Sequence, residues 1–401
     1  MNPVRNVAGF YNHPAQDIST RTRNTISNGM KVCILGCGLQ GRVVAQDLSR
    51  NKHQVTILDN NKENLAKIEK KSNIRTQQFD VTERTKLINF IRDFDVVVGA
   101  LPADLGFYSI ECAVNAGVDM VDLSYSGENP FLLRRDAKKR KIRIIPDAGF
   151  APGLSNILIG EAYRELKKID SLRILVGGIP QNPIPPFNYR YTWSPNDLVA
   201  EYTRIARIVR NFKTVNLEAL SGIKKLKVSK IGRLECFYTD GLRTLIKTFE
   251  NVRDMEEKTI RYQRHAELLK TILNYGYFDN GVNPFNNQAI QPKEFVTDLL
   301  KAVLSQGDDK DLTILIIEIM SRNKIRKYSC IDYYDEKNEI TSMARMTAYT
   351  GSIITQCIKN YPSFGVIPPE YLGMNKNICD FIKTELKKRN IKISKHYHEL
   401  H

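Results

Sequence analysis

The chain has 401 residues, 42% of them hydrophobic, with a formal net charge of +16. That length allows two or three domains with buried cores, and no apolar run approaches the ~20 residues a membrane-spanning helix needs. Its basic residues are spread along the whole chain, with small clusters at 134–143 and 223–227 beside no nucleic-acid motif, so the charge reads as a solvated surface and a specific nucleic-acid partner is not expected.

Residues 1–29 carry Arg5, Arg21 and Arg23 among many Asn, Ser, Thr and Pro, without the apolar core of a signal peptide. They read as a disordered extension, with Met30 an alternative start. From Lys31 onward, short β-branched runs alternate with helical stretches. The runs are KVCILG (31–36), QVTILD (54–59), IRTQQFD (74–80), DVVVGAL (95–101), VDMVDL (118–123) and KIRIIPD (141–147). Helical spacing or composition fills 39–50, 62–71, 83–93, 108–116 and 130–140. Six strands at this interval predict a doubly wound parallel sheet over residues 30–150, an α/β Rossmann domain.

After residue 150 the interval becomes irregular. A helix over 154–167 leads to a strand, LRILVGG (172–178), and the proline-rich loop IPQNPIPPFNY (179–189). Further strands are expected at 234–239, 313–320 and 327–335, with helices near 196–209, 264–274 and 293–305. Residues 151–374 therefore read as an α+β domain with a mixed sheet. The long helical stretch 340–360 is placed to return to the first domain, with the return extending to about 372. The tail 375–401 reads as a charged amphipathic helix with a frayed end bearing His396, His398 and His401. Seven scattered cysteines without CxxC or zinc spacing fit a reducing cytoplasm and no metal site. Cys37, inside the glycine loop, reads as a small filler.

Gly36, Gly38 and Gly41 form GxGxxG between the first strand and first helix. The first glycine permits the turn, the second lets backbone approach a pyrophosphate, and the third lets the helix pack on the strand. Leu39 and Gln40 complete the loop. Asp59 ends the second strand, where a carboxylate accepts the adenosine ribose hydroxyls and repels a 2′-phosphate. The pattern thus calls for NAD in preference to NADP, although Lys62 lies close enough in sequence to leave NADP open. Asp80 and Val81 are expected beside the adenine, and Ala100, Leu101 and Pro102 beside the nicotinamide ribose.

Several longer stretches resemble one family. VVVGALP, GVDMVDLSY, IIPDAGFAPGLSNI, VGGIPQNPIPPFNY, KTIRYQRHAE, MARMTAY and GVIPPE are similar to the saccharopine dehydrogenase family, in particular its L-lysine 6-dehydrogenase branch, over about residues 30–372. The resemblance implies a Rossmann domain followed by a catalytic and dimerisation domain. It also implies oxidation at an amine-bearing carbon with NAD(P), an amino-acid substrate and a homodimer or larger homo-oligomer. LPADLGFY (101–108) and RYTWSP (190–195) depart from the lysine enzymes, which leaves saccharopine cleavage or a carboxynorspermidine-type reductase as alternatives. A non-catalytic dinucleotide-binding sensor is the alternative of another class.

The chemistry sets its own requirements. An ammonium nitrogen, with a pKa of about 10.4 in lysine, must lose a proton before its carbon gives up hydride. Water then adds to the imine and a product amine leaves, so a base and an acid are needed. A substrate carboxylate calls for an arginine. Asp122 and Asp147 end the fifth and sixth strands at the sheet edge where ligands bind; each reads equally as a structural hydrogen-bonding group or cap. His265 with Arg261, spaced i,i+4, would share one helical face, as proton carrier and carboxylate anchor. Tyr262 lies beside them. Tyr238 and Thr239, before a glycine turn with Asp240, can meet substrate or simply form the turn. Arg190, with Tyr189 and Trp193, sits in the proline-rich loop, as a substrate wall or as lid packing.

Overall fold

A computed structural model describes residues 29–68, 73–191, 195–275, 283–285, 288–290 and 292–399. The expected N-terminal extension, Trp193 and His401 lie outside them. The first half is built on β1 (Lys31–Leu35), β2 (Gln54–Asp59), β3 (Ile74–Gln78), β4 (Val96–Gly99), β5 (Asp119–Asp122) and β6 (Arg143–Ile145). Val32 to Leu35 and Val96 to Val98 are fully buried, as a parallel sheet covered on both faces requires. The helices between the strands begin with α1 (Leu39–Arg50) and include the helix Ala103–Ala116.

The second half is strand-rich. It contains β7 (Ser171–Pro180), β8 (Ala206–Arg210), β9 (Lys213–Leu217), β10 (Lys224–Val228), β11 (Gly232–Tyr238), β12 (Asp254–Tyr262), the small hairpin β13 (Asn283–Phe285) and β14 (Gln288–Ile290), β15 (Asp311–Ser321) and β16 (Lys324–Tyr333). The chain then runs through the helix Ser342–Cys357, β17 (Gly365–Val366), the helices Pro369–Met374 and Lys376–Lys388, and β18 (Ser394–Glu399).

Two large sheets result. The first is parallel, in the order β17-β6-β5-β4-β1-β2-β3. The second is mixed, in the order β10-β11-β12-β7-β15-β16-β18, with β8 attached to β12 and β9 to β8. Its β7–β12 pair is parallel and β7–β15 antiparallel.

Ser342–Cys357 belongs to both halves. Its small residues Ala344, Ala348 and Ser352 are buried, and it packs along α1. Met346, Ile353 and Ile354 are fully buried in the shared core, each worth about 1.5–3 kcal/mol of apolar burial.

The chain end is more ordered than its composition suggests. Arg389 donates from Nε and Nη2 to the two oxygens of Asp47 at 2.8 Å each, and from Nη1 to Glu385 at 2.8 Å. The expected frayed histidine end is instead an edge strand: Lys327 pairs with His396 and Ile325 with His398. Backbone pairing to β16 supplies the order that side-chain hydropathy does not.

Candidate active site

One cavity of about 600 Å³ runs from the carboxyl ends of β1, β2 and β4 to the face of β7 and β12. Gly36, Gly38, Leu39, Gln40, Asp59, Val81, Ala100, Leu101 and Pro102 line its first end. Gly36 has φ of +98° and its N–H donates to the Leu58 carbonyl at 2.8 Å. A Cβ on Gly41 would run into the Gly36 carbonyl, whereas a Cβ on Gly38 would meet nothing within 4 Å. The loop is therefore tight against the helix and open toward the cavity, beside the N-terminus of α1 at Gly38. Those residues fit the pyrophosphate of a dinucleotide. The Asp59 carboxylate accepts from the N–H of Cys37 at 2.7 Å and of Asn61 at 2.8 Å, which fixes it at the loop. Asp80 departs from expectation: its side chain turns to the N–H and hydroxyl of Thr82 at 2.9 and 2.7 Å and is off the cavity wall, which Phe79 and Val81 supply.

The second end is charged. Asp147, at the end of β6, has φ of +53° and lines the cavity. Arg243 grips it, with Nη2 to Oδ1 at 3.0 Å and Nε to Oδ2 at 3.1 Å, both residues being buried. Burial works against the Arg243 charge, but Asp147 outweighs it and its pKa stands above the ordinary value. Tyr125 has two guanidinium groups over its ring, Arg243 at 4.6 Å and Arg204 at 4.7 Å from the ring centre. Arg204 lines the cavity, and its buried Nη1 has no hydrogen-bond partner among the described residues. Asp122 sits behind the wall formed by Leu123, Ser124 and Tyr125, accepting from the Ser124 hydroxyl at 3.0 Å. Burial, reinforced by Asp147, pushes its carboxyl well above the usual range. It is a buried group and does not face the cavity.

Strand β12 supplies the side wall by its two-residue alternation. Glu257, Thr259 and Arg261 face the cavity. Glu257 Oε2 lies 2.8 Å from the Thr239 hydroxyl, the two threonine hydroxyls stand 2.8 Å apart, and Thr259 donates to Glu201 at 2.6 Å. Arg261 donates to the other oxygen of Glu201 at 3.1 Å and to the Tyr202 hydroxyl at 3.2 Å, with its guanidinium 4.6 Å over Tyr189. Burial, with repulsion from Glu201 and Asp240, pushes the Glu257 carboxyl up to about 8. Arg207 holds Asp240 by two bonds of 2.9 and 2.7 Å.

Four further expectations are corrected. His265 is fully buried and outside the cavity wall, with Nε2 2.8 Å from the Tyr202 hydroxyl and Nδ1 2.9 Å from the Phe187 carbonyl. Arg261 ends a strand and His265 begins a helix, so no shared helical face exists. Burial and the Arg261 charge pull the imidazole down to about 3, which keeps it neutral. Tyr262 points to the other face of β12, donating to the Pro180 carbonyl at 3.0 Å. Tyr238 is likewise turned from Thr239, and donates to Glu256 at 3.0 Å. Arg190 ties its loop to Ser305, Gly307 and Asp309.

Sequence reasoning passed over Glu257, Glu201 and Tyr125 and did not single out Arg204 or Arg243 from the other arginines. A signal for two of them exists: Asp197, Glu201 and Arg204 recur at helical spacing and all line the cavity.

A Rossmann half opening onto a mixed-sheet half, with acids and an arginine facing the glycine loop, defines the class as a two-domain NAD(P)-dependent oxidoreductase. Comparison with known proteins narrows it. The pattern described as saccharopine dehydrogenase NADP binding domain matches residues 32–146, and that of the saccharopine dehydrogenase C-terminal domain matches 149–391. The chain belongs to the saccharopine dehydrogenase family. It is 24% identical over 293 residues to the Saccharomyces cerevisiae saccharopine dehydrogenase named for NADP(+) and L-glutamate formation, covering 70% of this chain and 66% of that one. It is 27% identical over 201 residues to the mitochondrial alpha-aminoadipic semialdehyde synthase of Rattus norvegicus, covering 48% of this chain and 22% of the synthase. The chain thus spans about two-thirds and about a fifth of these relatives. A solved apo saccharopine dehydrogenase (L-Glu forming) from Saccharomyces cerevisiae has the same fold, with a TM-score of 0.75 at 18% identity, over 92% of this chain and all of that one.

Proposed function

We propose that the chain oxidises a CH–NH bond of an amino acid with NAD(P), and that its substrate is lysine, oxidised at the ε-carbon. The observation that carries this reading is the pairing of charges in the cavity. Asp147 is matched by Arg243, Asp240 by Arg207 and Glu201 by Arg261. Arg204 keeps a buried donor with no protein partner among the described residues, which suits a substrate carboxylate. One uncompensated guanidinium matches the one carboxylate of lysine better than the three of saccharopine. The bound cofactor, when oxidised, supplies the hydride acceptor. The chain's own residues then anchor the carboxylate (Arg204), move protons at the amine (Glu257) and hold the cleft wall rigid through the Arg243–Asp147 pair.

Asp59 supports NAD as the preferred cofactor, because its carboxylate occupies the place a 2′-phosphate would need. The same proposal includes a homodimer, in keeping with Ile331 and Tyr333, 37% and 44% exposed on β16, and a cytoplasmic setting, in keeping with seven buried unpaired thiols. Among the described residues no helix is long and apolar enough to cross a membrane, and no cluster of metal-ligating side chains occurs.

The family relatives favour a second reading, saccharopine as substrate. Absorbance assays with NAD or NADP and with lysine or saccharopine separate the two. Reduction with lysine alone supports the first; reduction with saccharopine alone replaces it; reduction with neither refutes both.

A further inference from the structure

Four side chains on the cavity wall form an unbroken line of oxygens. Glu257 Oε2, Thr239 Oγ1, Thr259 Oγ1 and Glu201 Oε1 are separated in turn by 2.8, 2.8 and 2.6 Å. Each of the three gaps is hydrogen-bond length, so each holds a proton. The two hydroxyls supply one apiece. A third proton must therefore sit on one of the two carboxyls, because two ionised carboxylates would claim both hydroxyl protons and leave the threonine oxygens facing each other bare.

We propose that Glu257, Thr239, Thr259 and Glu201 form a proton relay that keeps one shared proton and takes the proton from the substrate's ammonium nitrogen. The proposal rests on the amine-oxidation reading for its substrate, but the shared proton follows from the oxygen spacing alone. At rest the proton lies on Glu257. Arg261 pairs with the other end, 3.1 Å from Glu201 Oε2. A concerted shift along the line moves the proton to Glu201 and turns Glu257 into a carboxylate, without either threonine changing its charge.

The step balances simply. The R–CH2–NH3+ nitrogen loses one proton, the Glu257 carboxylate gains it, and the free amine keeps its lone pair. The proton already displaced onto Glu201 leaves to solvent from a side chain that is 16% exposed. The groups facing Glu257 are Glu201 from the helix Pro195–Thr203, Asp240 with its partner Arg207, Arg261 on the same strand, and Arg204 across the cavity. Glu257 accepts a further backbone hydrogen bond from Gly241, which fixes the end of the line.

The test replaces the middle of the line. Thr259→Val keeps the shape and removes the hydroxyl; Thr259→Ser keeps the hydroxyl. With whichever amino acid is turned over, Thr259→Val should lower kcat by about tenfold or more, within the usual contribution of proton transfer, with little change in KM. Thr259→Ser should stay within about threefold of the parent. Equal losses in both variants overturn the relay. Infrared difference spectra of the full-length protein at about neutral pH, without substrate, give a separate readout. A protonated carboxyl band should be present in the parent, absent in Glu257→Gln, and titrate at lower pH in Thr259→Val. No such band lost in Glu257→Gln overturns the shared proton. A parent with the band but without dehydrogenase activity refutes the function and leaves the relay standing.

Discussion

Replacing Arg204 with methionine keeps most of the side chain's bulk and removes its charge. The fold should survive, because Tyr125 keeps Arg243 at 4.6 Å from its ring centre and Asp147 keeps its own partner. What is lost is a buried guanidinium donor on the cavity wall that has no protein hydrogen-bond partner among the described residues. A hydrogen bond to a charged group contributes about 1.5–3 kcal/mol, and truncating one side of a buried charge pair costs about 2–5 kcal/mol. Taking about 3 kcal/mol, and about 1.4 kcal/mol per decade, kcat/KM for lysine should fall roughly 100-fold. The comparison substrate is 1,5-diaminopentane, which is lysine without its carboxylate. Wild type should prefer lysine over the diamine by about two decades, and Arg204→Met should erase most of that preference while leaving turnover of the diamine nearly unchanged. If the variant loses both substrates equally, Arg204 does not read the carboxylate. If it loses neither, the anchor lies elsewhere.

Three other outcomes follow from the same geometry. Asp59→Ser should raise kcat/KM for NADP relative to NAD by about tenfold or more, through removal of a charge that repels the 2′-phosphate; an unchanged ratio refutes the cofactor preference. His265 has its folded pKa depressed from 6.5 to about 3, so it contributes stability that is present above 6.5 and lost as pH falls toward 3. Between pH 6.5 and about pH 4.5 the loss is on the order of 3 kcal/mol, two units at about 1.4 kcal/mol each, and His265→Gln should flatten that limb of the Tm-against-pH curve. Arg243→Met should destabilise the protein by about 3–5 kcal/mol by stranding buried Asp147. Adding Asp147→Asn should recover part of it in denaturant melts, and no recovery would mean that the pair is not the source of the loss.

The Rossmann half was legible because its central strands, such as β1 and β4, are apolar on both faces and its glycines stand at fixed offsets, so period and spacing agree. The second half was less so. Strand β12 reads DMEEKTIRY, with charges on both faces: Glu256 and Lys258 outward, Glu257 and Arg261 inward. Hydropathy alternation is absent there, and a helical spacing from Arg261 to His265 looked as good as an extended one. The helix expected over 196–209 stops at Thr203 and the chain turns into β8 at Ala206, where the β-branched Ile208 and Val209 pair with β9. Glu257 was invisible as an acid–base candidate because its raised pKa comes from burial beside Glu201 and Asp240, contacts made across 17 to 56 residues of chain. Asp122 was misjudged for the converse reason. Its place at a strand end is right, but the next three residues form the wall in front of it.

The strand Gly365–Val366 completes the edge of a sheet whose other six strands were made more than 200 residues earlier. During synthesis the first half therefore emerges with the edge of β6 unpaired, and the Asp47 carboxylate waits for Arg389. Assembly of the dinucleotide-binding half is tied in this way to the synthesis of residues 365–389. A ribosome stalled in the second half would hold a nascent chain with an open strand edge and an unmatched buried charge, a species that favours intermolecular pairing. The fold makes a later-made segment the clasp of an earlier one.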